Sequence, residues 1–144
     1  MKIEHVTLDS SLLIAFFVET EENYLYSKKF MDYAYANDII FLLPTIVLFE
    51  VFHTLKRSGF FKEDHQHEQF QAFLNQKCFK YFNLDIKFFN MFKELPFFDK
   101  LKTSDATIAA SAFINKSILI SWDKKLLKHS WDGYTPEEFL KNFV

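Results

Sequence analysis

A β-rich apolar run near the start of the chain stops at a carboxylate followed by two hydroxyls, His5-Val6-Thr7-Leu8-Asp9-Ser10-Ser11. Ile3, Val6 and Leu8 read as a strand entering a core, whereas Leu12, Leu13, Phe16 and Phe17 repeat at helical i, i+4 spacing. A strand-to-helix turn therefore falls at Asp9, Ser10 and Ser11. In an open α/β sheet such a turn lies at the carboxyl end of a strand, where ligands bind beside the helix N-terminus. Asp9 or Ser10 would also serve as an ordinary helix cap there, so a chemical role for Asp9 depends on what else the chain brings to it.

The rest of the chain repeats this alternation. Tyr24, Phe30, Met31, Ala34 and Tyr35 mark a second helix, and Ile39-Ile40-Phe41-Leu42-Leu43 is a continuous apolar run of the kind buried on both faces of a sheet. Pro44 ends that run and suits the first turn of a third helix, which Gly59 closes. Inside it Glu50 stands alone in Ile46-Val47-Leu48-Phe49-Glu50-Val51-Phe52. A helix apolar all round is largely buried, and a buried carboxylate is costly unless protonated, paired or bound to a cation. The opposing reading puts Glu50 on a narrow wet stripe with His53, Thr54 and Arg57, which lie at helical spacing from it.

Phe70, Phe73 and Leu74 form the inner side of a polar-faced helix. Its His65 and His67 are two residues apart, point to different faces and read as solvated. Residues 79–84 read as an edge strand guarded by Lys80. The next helix carries Phe88, Phe89, Met91 and Phe92, ends at Pro96 and is followed by Phe97 and Phe98. That is more bulky apolar groups than one buried stripe needs, so one or two are expected at the surface. Lys102-Thr103-Ser104-Asp105-Ala106 then opens a small-residue helix reaching Ala112, and Ser117-Ile118-Leu119-Ile120 is a fourth buried strand ending at Ser121-Trp122-Asp123. Gly133 turns the chain toward a final helix capped at Thr135.

With 144 residues and 49% hydrophobic composition, the chain is expected to form one domain over residues 1–144 with a sizeable core. The net charge of -2 gives no global basic field, so nucleic-acid binding would need a local patch. Cys78 is the only cysteine, which excludes an intrachain disulfide or a thiolate zinc cage and fits a reducing, cytoplasmic setting. The apolar run at residues 12–18 is too short to span a bilayer.

Strands alternating with helices predict a mostly parallel sheet, with acids at two strand ends, Asp9 and Asp123, and on two helices, Glu50 and Asp105. In this the chain resembles the PIN-domain family. The resemblance rests on Asp9-Ser10-Ser11 after the first strand, Glu50 in an apolar helix after Pro44, Asp105-Ala106 opening a small-residue helix, and Ser121-Trp122-Asp123 after a later strand, all in order.

The resemblance implies a three-layer α/β/α PIN-like fold with a central, mostly parallel four- to five-stranded sheet. It further implies a metal-dependent endoribonuclease, most similar to VapC-like toxins of VapBC toxin-antitoxin pairs. Asp9, Glu50, Asp105 and Asp123 would be catalytic and bind Mg²⁺ or Mn²⁺, with Ser11 and Ser121 as hydrogen-bonding support. All-oxygen ligands suit such hard cations. Expected partners are an RNA substrate, a cognate antitoxin protein and a second copy in a homodimer, with no membrane. Lys102, Lys124 and Lys125, with Lys100 and Lys128 nearby in sequence, are the candidate RNA contacts, and Trp122 would stack a base or pack. The competing functions are a non-catalytic PIN-type module that binds RNA or protein, and a DNA or structure-specific nuclease using the same acids.

Overall fold

The computed structural model describes residues 2–96 and 98–144; Phe97 of the expected aromatic cluster lies outside the described residues. In chain order the elements are β1 (His5–Leu8), α1 (Ser10–Phe17), α2 (Tyr24–Ala36), β2 (Ile40–Pro44), α3 (Thr45–Arg57), α4 (Asp64–Leu74), β3 (Phe79–Phe82), α5 (Ile86–Phe92), α6 (Thr103–Ile114), β4 (Ile118–Ile120), α7 (Lys124–Lys128), β5 (Gly133–Tyr134) and α8 (Pro136–Phe143).

The strands form one five-stranded sheet in the order β3-β2-β1-β4-β5, and every pairing is parallel. From β1 the chain moves outward to β2 and β3, then crosses back to lay β4 on the other side of β1. Right-handed crossovers therefore send the helices after β1 and β2 over one face and those after β3 and β4 over the other. Val6, Phe41 and Phe79 are in register and share a face. On that face Phe41 meets Tyr35 of α2 and Phe79 meets Phe73 of α4, with ring centroids 5.7 and 4.8 Å apart. Helix α6 packs against β1 and β4. Its Ala109, Ala110 and Ala112 are buried, and their small side chains allow a close approach to the sheet.

Several local expectations change. Helix α3 is not buried all round: Val47, Val51 and Leu55, at i, i+4 and i+8, face inward, whereas Phe49 is 72% exposed. Gly133 does not merely turn the chain but begins β5, paired with Leu119. A Cβ at that position would lie 2.7 Å from Leu127 Cδ2 and 3.3 Å from the Leu119 carbonyl oxygen, so the close approach of the backbone requires glycine. Gly59, by contrast, supplies the positive φ of 79° that follows α3. The edge position of β3, the exposure of Lys80 and the exposure of Phe89 all follow the sequence reading. His65 and His67 are exposed, with His67 stacked on Phe61.

Candidate active site

The strand order reverses between β1 and β4, and in parallel sheets the crevice outside the carboxyl ends of such strands is where ligands bind. Asp9 sits there, nearly fully buried, with its backbone N–H donating to the Ile120 carbonyl at 3.0 Å. The Ser11 and Ser121 hydroxyls each donate to Asp9 Oδ2 at 2.7 Å, and the Ser11 backbone N–H approaches the same oxygen at 3.4 Å. Each hydroxyl has a single proton and an ionised carboxylate is the stronger acceptor. The 3.2 Å contact between the two serine oxygens is therefore a close approach that both protons leave free of donation. Among the described residues all hydrogen bonds to the Asp9 side chain fall on Oδ2, which leaves Oδ1 without a donor.

Glu50 comes to the same place from α3, half-buried, its Oε1 buried and without a hydrogen-bond partner. Its pKa is pushed above the ordinary carboxylate value by burial, and further by the charges of Asp9 and Asp105, while the Ser10 hydroxyl and the Lys102 ammonium partly offset this. Asp105, in the first turn of α6, is likewise raised, by burial first, with Asp123 and Asp9 adding to the rise and Lys102 and Lys125 opposing it. Glu50 on α3 thus feels the charges of Asp9 and Asp105, and Asp105 on α6 feels those of Asp123 and Asp9.

Asp123 doubles as the cap of α7, its Oδ1 accepting from the Lys125 and Leu126 backbone N–H groups at 3.0 and 3.1 Å. Its own N–H donates to Ser121 Oγ at 2.9 Å, tying it to the Asp9 network. Lys102 and Lys125 lie close enough to act on the acids; Lys124, Lys100 and Lys128 are exposed nearby in sequence. Trp122 is half-buried against the core, its indole N–H donating to Ser27 Oγ at 2.8 Å, which favours packing over base stacking. Sequence reasoning missed Ser10 as a neighbour of Glu50 and Ser27 as the partner of Trp122. The first was open to detection, since a hydroxyl one residue from Asp9 must lie near any group facing Asp9.

Among the described residues no three His, Cys, Asp or Glu side chains are drawn tightly enough together to form a finished cation cage. The donor set nonetheless fits a hard divalent ion. It is all oxygen, it carries mutual repulsion that a cation would relieve, and Glu50 Oε1 is a buried acceptor without a donor.

These features define an α/β protein with an acidic centre at the switch point of a parallel sheet. A model of the PIN-domain family matches residues 6–131, and the chain belongs to that family. Solved structures agree on the fold. A toxin-antitoxin complex from Klebsiella pneumoniae superposes with a TM-score of 0.68 at 22% identity, over 91% of this chain and 97% of the other. VapBC2 from Rickettsia felis, bound to a fragment of its promoter DNA, gives 0.66 at 15% identity over 91% and 98%. VapC20 of Mycobacterium tuberculosis, described as a toxin that cleaves the sarcin-ricin loop, gives 0.65 at 15% identity over 85% and 93%. No curated protein sequence matches the chain.

Proposed function

We propose that this protein is a divalent-cation-dependent endoribonuclease, the toxin of a toxin-antitoxin pair, and that Asp9, Glu50, Asp105 and Asp123 are its catalytic acids. The observation that carries the reading is the meeting of four acids from separate elements at the switch point, with Glu50 Oε1 buried and lacking a donor. Support for the toxin comes from the solved relatives above, two of which are toxin-antitoxin assemblies.

The four acids would hold Mg²⁺ or Mn²⁺. When bound, such an ion supplies charge neutralisation at the scissile phosphate and lowers the pKa of a water molecule. The chain's own residues set the stage. Ser11 and Ser121 occupy Asp9 Oδ2 and so present Oδ1 to the site. Capping by Asp123 fixes the start of α7, the helix that carries Lys124 and Lys125. Together with Lys102 these ammonium groups draw in the RNA backbone, a salt-dependent contribution independent of base sequence. In this role the chain acts as a cytoplasmic homodimer held inactive by its cognate antitoxin. Among the described residues no helix is long and apolar enough to cross a membrane.

The test incubates the protein with RNA and with DNA, each in Mn²⁺ and in chelator. Cleavage of RNA in Mn²⁺ alone is expected. Cleavage of DNA instead would make it a DNA nuclease, and Mn²⁺ binding with both polymers left intact would make it a binding module.

A further inference from the structure

The turn between β4 and α7 carries two members of the acid centre, Ser121 and Asp123, on either side of Trp122. Sheet pairing reaches only its first residue, through the Ser121 N–H donating to the Tyr134 carbonyl at 3.2 Å. Beyond that point the Ser121 hydroxyl and the Asp123 cap hold the turn to its neighbours, and among the described residues Trp122 alone ties it to a distant helix. The Trp122 backbone N–H donates to Ser11 Oγ at 2.9 Å, and its indole Nε1–H donates to Ser27 Oγ at 2.8 Å. Ser27 lies on α2, completely buried, 95 residues away in sequence. An indole offers a single polar atom, so this one bond sets the direction in which the ring leaves the turn.

We propose that Trp122 is a positioning residue. Anchored by Ser27 on α2, it fixes the turn so that Ser121 reaches Asp9 Oδ2 and Asp123 faces Asp105. The geometry forms a continuous chain. Ser27 Oγ accepts from the Trp122 indole, the Trp122 backbone N–H donates to Ser11 Oγ, and Ser11 and Ser121 both donate to Asp9. Helix α2 contributes no acid to the centre, yet through this contact it sets the distance between the acids at the ends of β1 and β4. The functional consequence rests on the reading that the acids hold a divalent cation, since only then does their spacing set an affinity.

The experiment uses the full chain and three variants, Ser27→Ala, Trp122→Phe and the double variant. Ser27→Ala removes one oxygen. Trp122→Phe keeps an aromatic ring at a half-buried position, and so serves if the first variant folds poorly. Two readouts are followed, residue-resolved amide hydrogen exchange and Mn²⁺ affinity by titration calorimetry. In each single variant the amides of residues 122 and 123 should exchange about five- to tenfold faster, the effect expected of losing one hydrogen bond, with the amides of β2 unchanged. The Mn²⁺ dissociation constant should rise by a similar factor. The double variant, in which neither partner is orphaned, should regain thermal stability without regaining Mn²⁺ affinity.

Unchanged exchange at both amides overturns the proposal. So does faster exchange with parental Mn²⁺ affinity in all three proteins, or a double variant that recovers affinity together with stability. If the parent protein itself binds no Mn²⁺, the cation reading fails, and the exchange data alone decide whether Trp122 orders the turn.

Discussion

Asp9 Oδ2 and Ser121 Oγ are 2.7 Å apart across 112 residues of sequence, joining the carboxyl ends of the two neighbouring strands between which the sheet order reverses. Ser121 is fully buried, donates to Asp9 and accepts from the Asp123 N–H at 2.9 Å. Ser121→Ala would remove one of the two hydroxyls from Asp9 and leave that N–H without its acceptor. The lost hydrogen bond to the charged Asp9, with a part-buried N–H left unpaired, costs about 1–3 kcal/mol. Urea unfolding of the variant should show a loss of that size, and its cleavage rate should fall because Asp9 is less firmly oriented.

Stability without added metal should decline as pH rises. Glu50 and Asp105 have pKa values raised above their ordinary 4.5 and 3.8, mainly by burial. Between the unfolded and folded values the native state binds more protons than the unfolded one, so stability falls with pH across that window. Their favourable contribution is complete below about pH 4, the ordinary carboxylate range, and is lost as pH climbs through the raised folded values. Other carboxylates titrate in the same region, so the measurement compares the parent with a Glu50→Gln/Asp105→Asn double variant. Melting temperature against pH should slope down more steeply in the parent above pH 4, and parallel curves would contradict the assignment.

Asp105→Asn alone should stabilise the metal-free protein while abolishing metal-dependent cleavage. Removing this charge relieves first the burial of an ionised carboxylate and then its repulsion from Asp123 and Asp9, against the lost attraction of Lys102 and Lys125. Asp105 is only part-buried, so the gain should be no more than that of a solvated charge pair, about 0.2–1 kcal/mol. A variant that keeps full Mn²⁺-dependent activity would remove Asp105 from the site.

The approach of the acids was legible because strand ends are. An apolar run that stops at a carboxylate places that carboxylate at the end of a sheet, and Asp9 and Asp123 both did so. Glu50 was legible as an anomaly but for an incomplete reason. The unbroken apolar run of α3 suggested burial on every side, yet Phe49 lies at the surface while Val47, Val51 and Leu55 face inward. A run without polar punctuation does not say which of its members stay wet. Strand β5 has two residues, too few to show any period, and its glycine looked like a turn signal. The Ser27–Trp122 bond joins residues 95 apart, and a lone serine on an amphipathic helix carries no mark of its distant partner.

Gly133→Ala tests how much room β5 has beside β4. The added methyl would fall 2.7 Å from both Leu127 Cδ2 and Ser130 Oγ, which can rotate aside, and 3.3 Å from the Leu119 backbone oxygen, which cannot. Overpacking of this kind costs typically about 1–3 kcal/mol. The loss should appear in the unfolding free energy. It should also loosen the Ser121 N–H bond to the neighbouring Tyr134 carbonyl, which amide exchange would detect.

Mn²⁺ should raise the melting temperature, and chelator should reverse the rise. A ligand present at a hundred times its dissociation constant stabilises the native state by about 2.7 kcal/mol, which at an unfolding entropy of about 2.1 cal/mol/K per residue corresponds in a chain of this size to a shift of about 9 °C. The shift should be larger at pH 8 than at pH 5, because the cation competes with protons for Glu50 and Asp105, whose raised pKa values keep those protons on longer. Asp9→Asn should abolish most of the shift. It replaces the carboxylate at the switch point, and its whole negative charge, with a neutral amide, while leaving one oxygen to accept from Ser11 and Ser121. A thermal shift of parental size in that variant would place the cation elsewhere in the molecule and detach the four acids from metal binding.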